Sequence, residues 1–400
     1  MKQFLLLIIL CCLFSCRKEK TNAPISHAST SETSNNIVTT ADIPVLLKYA
    51  EGFTVTNHEN YKVLTIKSPW PKNKKDYHYV LISNHKVGTT RVTDKNYEHI
   101  IPTPIATVVA TSTTHIPALE LLEVEQTLIG FPGTDYISSR KTRQRIEKGE
   151  IRELGKNEGI NTEVLLELRP NVVVGFGIDG TNKSMETITK ANIPVIYNGD
   201  WVEKSPLAKA EWIKFFGALY GKEKEADSIF NSIERDYLKA KQIALQAKDR
   251  PTVLSGALYK DIWYLPNGTS SEAQFIKDAN ANYLWSDTKE TGSIPLSFEA
   301  VFEKSKTAEL WLSPSYYSSY EALEQANYHY TEFDAFKNKS IYTFANSKGA
   351  SGGVTYYELG MARPDLVLKD IIKICHPELL KNYKSTFFNP LELTETKQQY

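Results

Sequence analysis

From Ile105 onward the chain sets short apolar runs against stretches whose apolar residues recur three and four positions apart: IATVVA, HIPALELLEVE, TLIGF, TEVLLEL, NVVVGF, SMETITKA and IPVIYN. Strand, helix and strand in repetition predict a parallel sheet covered by helices. Between Pro206 and about Lys248 charges fall between apolar positions at helical spacing, which predicts one or two long helices with Gly221 as the break. After Pro251 the alternation returns as TVLSGAL, FEAVFEKS, AELWLS and IYTFA, closed by a helix from about Asp365 to Ile374. The pattern is an α/β fold of two βαβ-type lobes with parallel central sheets, residues 101–205 and 249–385, joined by a long connector helix over 206–248 and ending in a tail, 386–400. Ahead of them, FTVTNHENYKVLTI and YHYVLIS flank the turn-like SPWPKNKKD and predict a β-rich hairpin extension over 44–100. The lobes echo each other. Glu163 heads EVLLELRPNVVV and Glu299 heads EAVFEKSKTAELWL, each with a second glutamate four residues on, Glu167 and Glu303, which points to duplicated architecture.

The first residues change the picture of where such a fold works. Lys2 precedes an apolar run from Phe4 to Phe14, shorter than the roughly 20 residues of a membrane helix, so residues 1–15 are expected to be a secretory signal. Leu13, Phe14, Ser15 and Cys16 resemble a bacterial lipobox, which makes Cys16 the acylated first residue of a periplasmic protein anchored by lipid to a bacterial membrane. Residues 16–43 offer little to bury and are expected to be a flexible tether. Loss of the signal removes Cys11 and Cys12, and acylation of Cys16 leaves Cys375 unpaired; ending LVLKDIIKIC, it reads as a small buried hydrophobe. Lys plus Arg equals Asp plus Glu at 47 each, so no broad basic field is available for nucleic acid. The 22 Tyr, 16 Phe and 6 Trp include several in loops, where rings suggest a stacking surface for a large ligand.

Four strings, in order, resemble the periplasmic binding proteins for iron complexes and cobalamin: VVATSTTHIPALELL with GFPGTDYISS, then INTEVLLELRPNVVVGFG, then KAEWIKFFGALYGKEKEADSIF, then LSFEAVFEKS. The resemblance covers roughly residues 101–385. It implies a monomeric solute-binding lipoprotein that captures a siderophore, haem or cobalamin-like complex between its lobes and delivers it to an ABC permease dimer, with no catalytic set, no cofactor and no metal centre of its own. Glu163 and Glu299 match the exposed glutamates that dock into the permease. The positions that match the cleft are Thr113, Thr114, His115 and Tyr136, with Phe176 and Trp201 as further first-lobe candidates and Tyr259, Trp263, Tyr264, Tyr356 and Tyr357 from the second lobe. His115 is also weighed as an iron or haem ligand, against a cap or core role. Anionic siderophores call for arginines, and RKTRQR from Arg140 to Arg145 is the available cluster, weighed against a solvated helix face. Aromatic loops without secure arginines suit a corrinoid, haem or neutral chelate at least as well.

Two other classes stay open on sequence. GFGIDG places Gly175, Gly177 and Gly180 in GxGxxG register after a strand, with Asp200 twenty residues beyond Gly180, the spacing of a dinucleotide site in an NAD-dependent enzyme. Aromatic loops also serve glycans on a surface lipoprotein. Position discriminates: sugar binding uses one exposed face, whereas capture between lobes calls for Tyr136 and Trp263 facing each other.

Overall fold

The computed structural model describes residues 43–92, 96–177, 180, 183–289 and 292–394. The extension is a five-stranded sheet, β1 (Ile43–Pro44), β2 (Phe53–Asn57), β3 (Lys62–Lys67), β4 (Asp76–Ser83) and β5 (His99–Thr103), hydrogen-bonded in that order. Only β5 runs parallel to its neighbour. The sequence predicts a hairpin here; the structure splits its first run, FTVTNHENYKVLTI, into β2 and β3 and adds β1 and β5, the last from EHIIPT, whose apolar run is too short to announce itself. Alternation along β2 and β3 buries Phe53, Val55, Leu64 and Ile66. These residues share one continuous core with the first lobe.

That lobe holds β6 (Val108–Ala110), α1 (Ile116–Leu121), β7 (Leu128–Phe131), α2 (Arg140–Glu147), β8 (Arg152–Glu153), a small hairpin of β9 (Gly155–Lys156) and β10 (Gly159–Ile160), α3 (Thr162–Leu168), β11 (Val172–Gly175), α4 (Lys183–Lys190) and β12 (Val195–Tyr197). Its parallel sheet is ordered β12-β11-β6-β7-β8. Every residue of β6, β11 and β12 is buried, as expected for strands covered on both faces.

The connector is three helices, α5 (Pro206–Glu211), α6 (Ile213–Tyr220) and α7 (Glu223–Ala244). Gly221, at φ 63°, closes α6 at the expected break, and a second turn falls at Trp212. With 22 residues, α7 is about 33 Å long and reaches both lobes. Ala226, Phe230 and Ile233 belong to the first core, whereas Tyr237, Ala240 and Ala244 belong to the second.

The second lobe contains β13 (Thr252–Ser255), β14 (Leu258–Tyr259), β15 (Ile262–Pro266), α8 (Ser271–Asp278), β16 (Asn282–Tyr283), β17 (Ser293–Leu296), α9 (Phe298–Ser305), β18 (Leu310–Leu312), α10 (Tyr320–Ala326), α11 (Asp334–Lys337), β19 (Ile341–Thr343), α12 (Thr355–Leu359), α13 (Pro364–Cys375) and β20 (Asn389–Pro390). Its main sheet runs β16-β13-β18-β19-β20, parallel except at β20, and β14-β15-β17 form a separate antiparallel sheet. The expected tail thus supplies an edge strand. Among the described residues no helix is long and apolar enough to cross a membrane. Cys16 and the expected signal lie outside them.

Buried carboxylates fasten both ends of the described chain. Glu211, fully buried, accepts the backbone N–H groups of Lys48 (2.9 Å), Tyr49 (2.7 Å) and Ala50 (2.9 Å) and faces the Lys214 ammonium at 3.0 Å. Glu203 accepts from the N–H groups of Glu51 (3.0 Å) and Gly52 (2.8 Å) and from Trp212 Nε1 (3.0 Å). At the other end Asp370 accepts the N–H groups of Thr386 (3.0 Å), Phe387 (2.6 Å) and Phe388 (2.9 Å). Bonds to a charged acceptor in the interior are among the stronger ones available.

Candidate functional site

In an open α/β sheet the order of the strands fixes where a crevice opens, at the carboxyl ends on either side of the point where the chain reverses direction across the sheet. In the first lobe that point lies between β6 and β11, and in the second between β13 and β18. The loops leaving these four strands begin at Thr111, Phe176, Gly256 and Ser313.

The first-lobe loops build a polar floor. Ser112 caps the turn Thr113–His115 by accepting the Thr114 N–H, and Thr114 Oγ1 donates to Asp200 Oδ2 at 2.9 Å. Asp200 is 5% exposed, its Oδ1 has no hydrogen-bond partner, and burial pushes its carboxyl up to about 6 against the opposing effects of Thr114 and Lys209. The Asn198 side-chain nitrogen beside it in the chain is likewise buried without a partner. Thr114, Asp200 and Lys209 line a cavity of about 20 Å³ to which Met361 and Ala362 of the second lobe also contribute, space for a single water.

The rims of the two lobes touch. Glu358 of α12, 3% exposed, accepts the backbone N–H groups of Ser138 (2.7 Å) and Ser139 (2.8 Å), and Ser351 Oγ donates to the Asp135 carbonyl at 2.8 Å. Gly349 and Gly353 lie so close to the backbone of Ser138 and Tyr136 that any side chain on them would collide with it. With the rims joined, a ligand of the size that fills ordinary small-molecule sites, ~300–1,000 Å³, sits at the mouth or requires them to part.

Exposed rings lie on the loops beyond the strands and on the β14–β15 hairpin. Tyr136 is 73% exposed, Tyr259 66% and Tyr264 43%. Tyr357 lies 6.0 Å, centroid to centroid, from Tyr316, which is 68% exposed on the loop after β18. Phe176 and Trp201 pair at 5.8 Å, and Trp201 Nε1 donates to the Gly177 carbonyl at 3.2 Å.

A family model described as "Periplasmic binding protein" matches residues 108–347, more than half of the chain. The chain belongs to the periplasmic binding protein family. It is similar to a lipoprotein of Methanocaldococcus jannaschii at 26% identity, covering 97% of this chain and 96% of the relative. Among solved structures it is similar in fold to a periplasmic haem-binding protein from Pseudomonas aeruginosa (TM-score 0.56, 15% identity, 73% of this chain and 99% of that one). It is also similar to the Ni(II)-bound CeuE of Helicobacter pylori (TM-score 0.53, 18% identity, 74% and 91%).

Within this periplasmic binding protein, three of the expected cleft residues are placed elsewhere. His115 is completely buried, with its ring 5.7 Å from Phe216 and both nitrogens unpartnered, and burial pushes its pKa down to about 3. It is a neutral core histidine and does not face the gap. Trp263 is 0% exposed, stacked on Trp311 at 5.5 Å with Nε1 donating to the Ser255 carbonyl, so it cannot face Tyr136. The reason is strand alternation: on β15 Trp263 and Leu265 point inward and Ile262 and Tyr264 outward. Tyr356 stacks on Phe344 at 4.5 Å and packs on Phe387 and Phe388, which leaves Tyr357 as the exposed member of its pair.

Within RKTRQR, Arg143, Arg145 and Lys141 are committed to their own lobe, and Arg140 is exposed. Arg143 donates to the Thr134 carbonyl, Arg145 to the Glu125 carbonyl and to Glu150, and Lys141 pairs with Glu125 at 2.6 Å. GFGIDG has a packing reason too: a Cβ on Gly177 would stand 3.1 Å from the Trp70 ring of the extension, and Asp200 bonds Thr114. Ile178, Asp179, Thr181 and Asn182 lie outside the described residues. Glu163 and Glu299 are exposed in the first turns of α3 and α9, capped by Asn161 and Ser297. Cys375 packs against the second core, its thiol pushed up to about 12 by burial. Tyr316, Glu358 and the Thr114–Asp200 pair were missed by sequence reasoning. For Tyr316 the signal was present, two tyrosines in SPSYYSS directly after an apolar strand.

Proposed function

We propose that this chain is the solute-binding component of an ABC importer, held at a membrane through Cys16, and that it carries a ring-shaped, neutral or weakly charged complex such as a haem, a corrinoid or a neutral chelate. The observation that carries the reading is the arrangement of the two lobes. Two sheets reverse direction toward one gap, α7 joins their cores, and each lobe exposes a glutamate in the first turn of a matching helix. The exposed Tyr136, Tyr316 and Tyr357 supply ring faces at the gap's mouth, while two of the three arginines of α2, Arg143 and Arg145, are spent inside the first lobe, which disfavours an anionic siderophore. Binding needs no acid or base; the work of transport falls to the permease and its ATPase. Charge reversal at both Glu163 and Glu299 is expected to abolish uptake while leaving ligand affinity unchanged. A fall in affinity with uptake per bound ligand preserved would overturn the docking role.

A second reading is favoured by one observation: Tyr259, Ile262 and Tyr264 are exposed together on the β14–β15 hairpin, a single face of the kind that stacks on sugar rings. It predicts glycan binding lost on Tyr264→Ala and indifferent to Tyr357→Ala, whereas the importer reading predicts ligand binding sensitive to Tyr357→Ala.

A further inference from the structure

A second concavity lies away from the gap, where the extension meets the first lobe. It has a volume of about 290 Å³ and is lined by Lys75, Tyr77 and Tyr79 of the β3–β4 turn and β4, Glu98 and His99 at the start of β5, Glu186, Thr189 and Lys190 of α4, and Val195 and Tyr197 of β12. The volume is at the lower edge of the ~300–1,000 Å³ of small-molecule sites, enough for a single-ring ligand. Half of its wall comes from a segment outside residues 108–347, the part that matches the family.

Its floor is made of tyrosines. The Tyr77 and Tyr197 rings lie 5.0 Å apart, and Trp70 stands edge-on to Tyr197 at 5.1 Å. Tyr79 is 0% exposed and its hydroxyl has no hydrogen-bond partner; the Tyr197 backbone N–H is near enough to affect its titration but not in bonding geometry. An unmade bond on a buried hydroxyl costs stability, and a phenylalanine would fill the same space without that cost. Around the floor the charges cancel: Lys75 and Lys190 stand with Glu98 and Glu186, and Lys75 pairs with Glu98 at 2.7 Å. Burial raises all three phenol pKa values and lowers that of His99, so these groups stay neutral at physiological pH. Such a lining offers ring faces and both donors and acceptors, with no net charge to draw in an ion.

We infer that the concavity between the extension and the first lobe is a second binding site, taking a neutral polyhydroxylated ring such as a monosaccharide or cyclitol, with the Tyr79 hydroxyl as a bonding group that only the ligand satisfies. This site is independent of the transport reading and of the gap.

The test titrates the full mature chain with glucose, galactose and myo-inositol, with alanine as a zwitterion and inorganic phosphate as an anion, by calorimetry and by NMR of ring-labelled tyrosines. At least one polyol is expected to bind at millimolar concentration or below and to shift Tyr77, Tyr79 and Tyr197. Tyr79→Phe is expected to weaken that binding about tenfold or more while raising the Tm of the free protein, a pairing that a purely structural tyrosine would not give. Tyr357→Ala, at the gap, is expected to leave it unchanged. Preference for alanine or phosphate, no binding by any polyol, or unaltered affinity in Tyr79→Phe would each overturn the proposal.

Discussion

The two lobes share one plan and use it differently. Each has a five-stranded sheet that reverses direction toward the gap, yet the first lobe adds a buried polar floor, Thr114 and Asp200, to its exposed tyrosine, Tyr136, whereas the second presents the pair Tyr316 and Tyr357. The difference arises in the segment leaving the strand at each reversal point. After β6 the chain turns tightly into α1 and tucks His115 into the core, whereas after β13 it makes the β14–β15 hairpin, whose alternation sends Trp263 inward and Tyr264 outward. The same topology therefore yields a buried polar floor in one lobe and a two-faced hairpin in the other.

The sharpest way to break that contrast is within the hairpin. Trp263→Ala is expected to cost about 3–5 kcal/mol by opening a cavity against Trp311, while Tyr264→Ala, one residue away, stays within about 0.5 kcal/mol. Chemical denaturation of both variants checks it, and equal losses would erase the inward and outward assignment. Next come the two chain ends. Glu211→Ala strips three backbone N–H groups of their acceptor and removes one of the two carboxylates that face the buried Lys214, leaving Asp227, and is expected to cost roughly 3–5 kcal/mol, against about 2–4 kcal/mol for Asp370→Ala in the second lobe, which strips three backbone N–H groups and the Tyr383 hydroxyl but no ammonium.

A smaller effect of opposite sign is expected at the floor. The Asp200 carboxyl is raised from 3.8 to about 6, so the folded chain holds more protons than the unfolded one across that window and loses stability as pH rises through it. Asp200→Asn should remove this slope and gain on the order of 2–3 kcal/mol above pH 6, read by thermal melts at several pH values. The smallest effect belongs to the rims: Glu358→Gln weakens the bonds to Ser138 and Ser139, and scattering should show a slightly larger radius of gyration with little change in Tm.

Much of this fold is written in the sequence as periodicity. VVA, VVVG and VIY are short, wholly apolar runs because their strands are covered on both faces, and the echo of Glu163 and Glu299 falls on two matching helix–strand units, α3 before β11 and α9 before β18. The site was harder to read. His115, Trp263 and Tyr356 have the right residue types next to the right strands, but which way a ring points depends on register and neighbouring elements rather than on composition. Glu358 was illegible for a related reason, since its partners Ser138 and Ser139 lie more than two hundred residues away in the chain and are backbone groups with no identity of their own. The GFGIDG spacing is ambiguous on sequence because glycine answers to close packing, here Gly177 against Trp70, as readily as to a phosphate.

The central claim is that the gap between the lobes is the working part and that its rings hold a cargo. Absorbance and mass spectrometry of the chain purified from its native host address this most directly, on the wild type and on a variant carrying Tyr316→Ala and Tyr357→Ala. A small chromophoric molecule is expected on the wild type and absent from the variant. A wild type that emerges without any bound small molecule, or a cargo retained equally by both proteins, would contradict it.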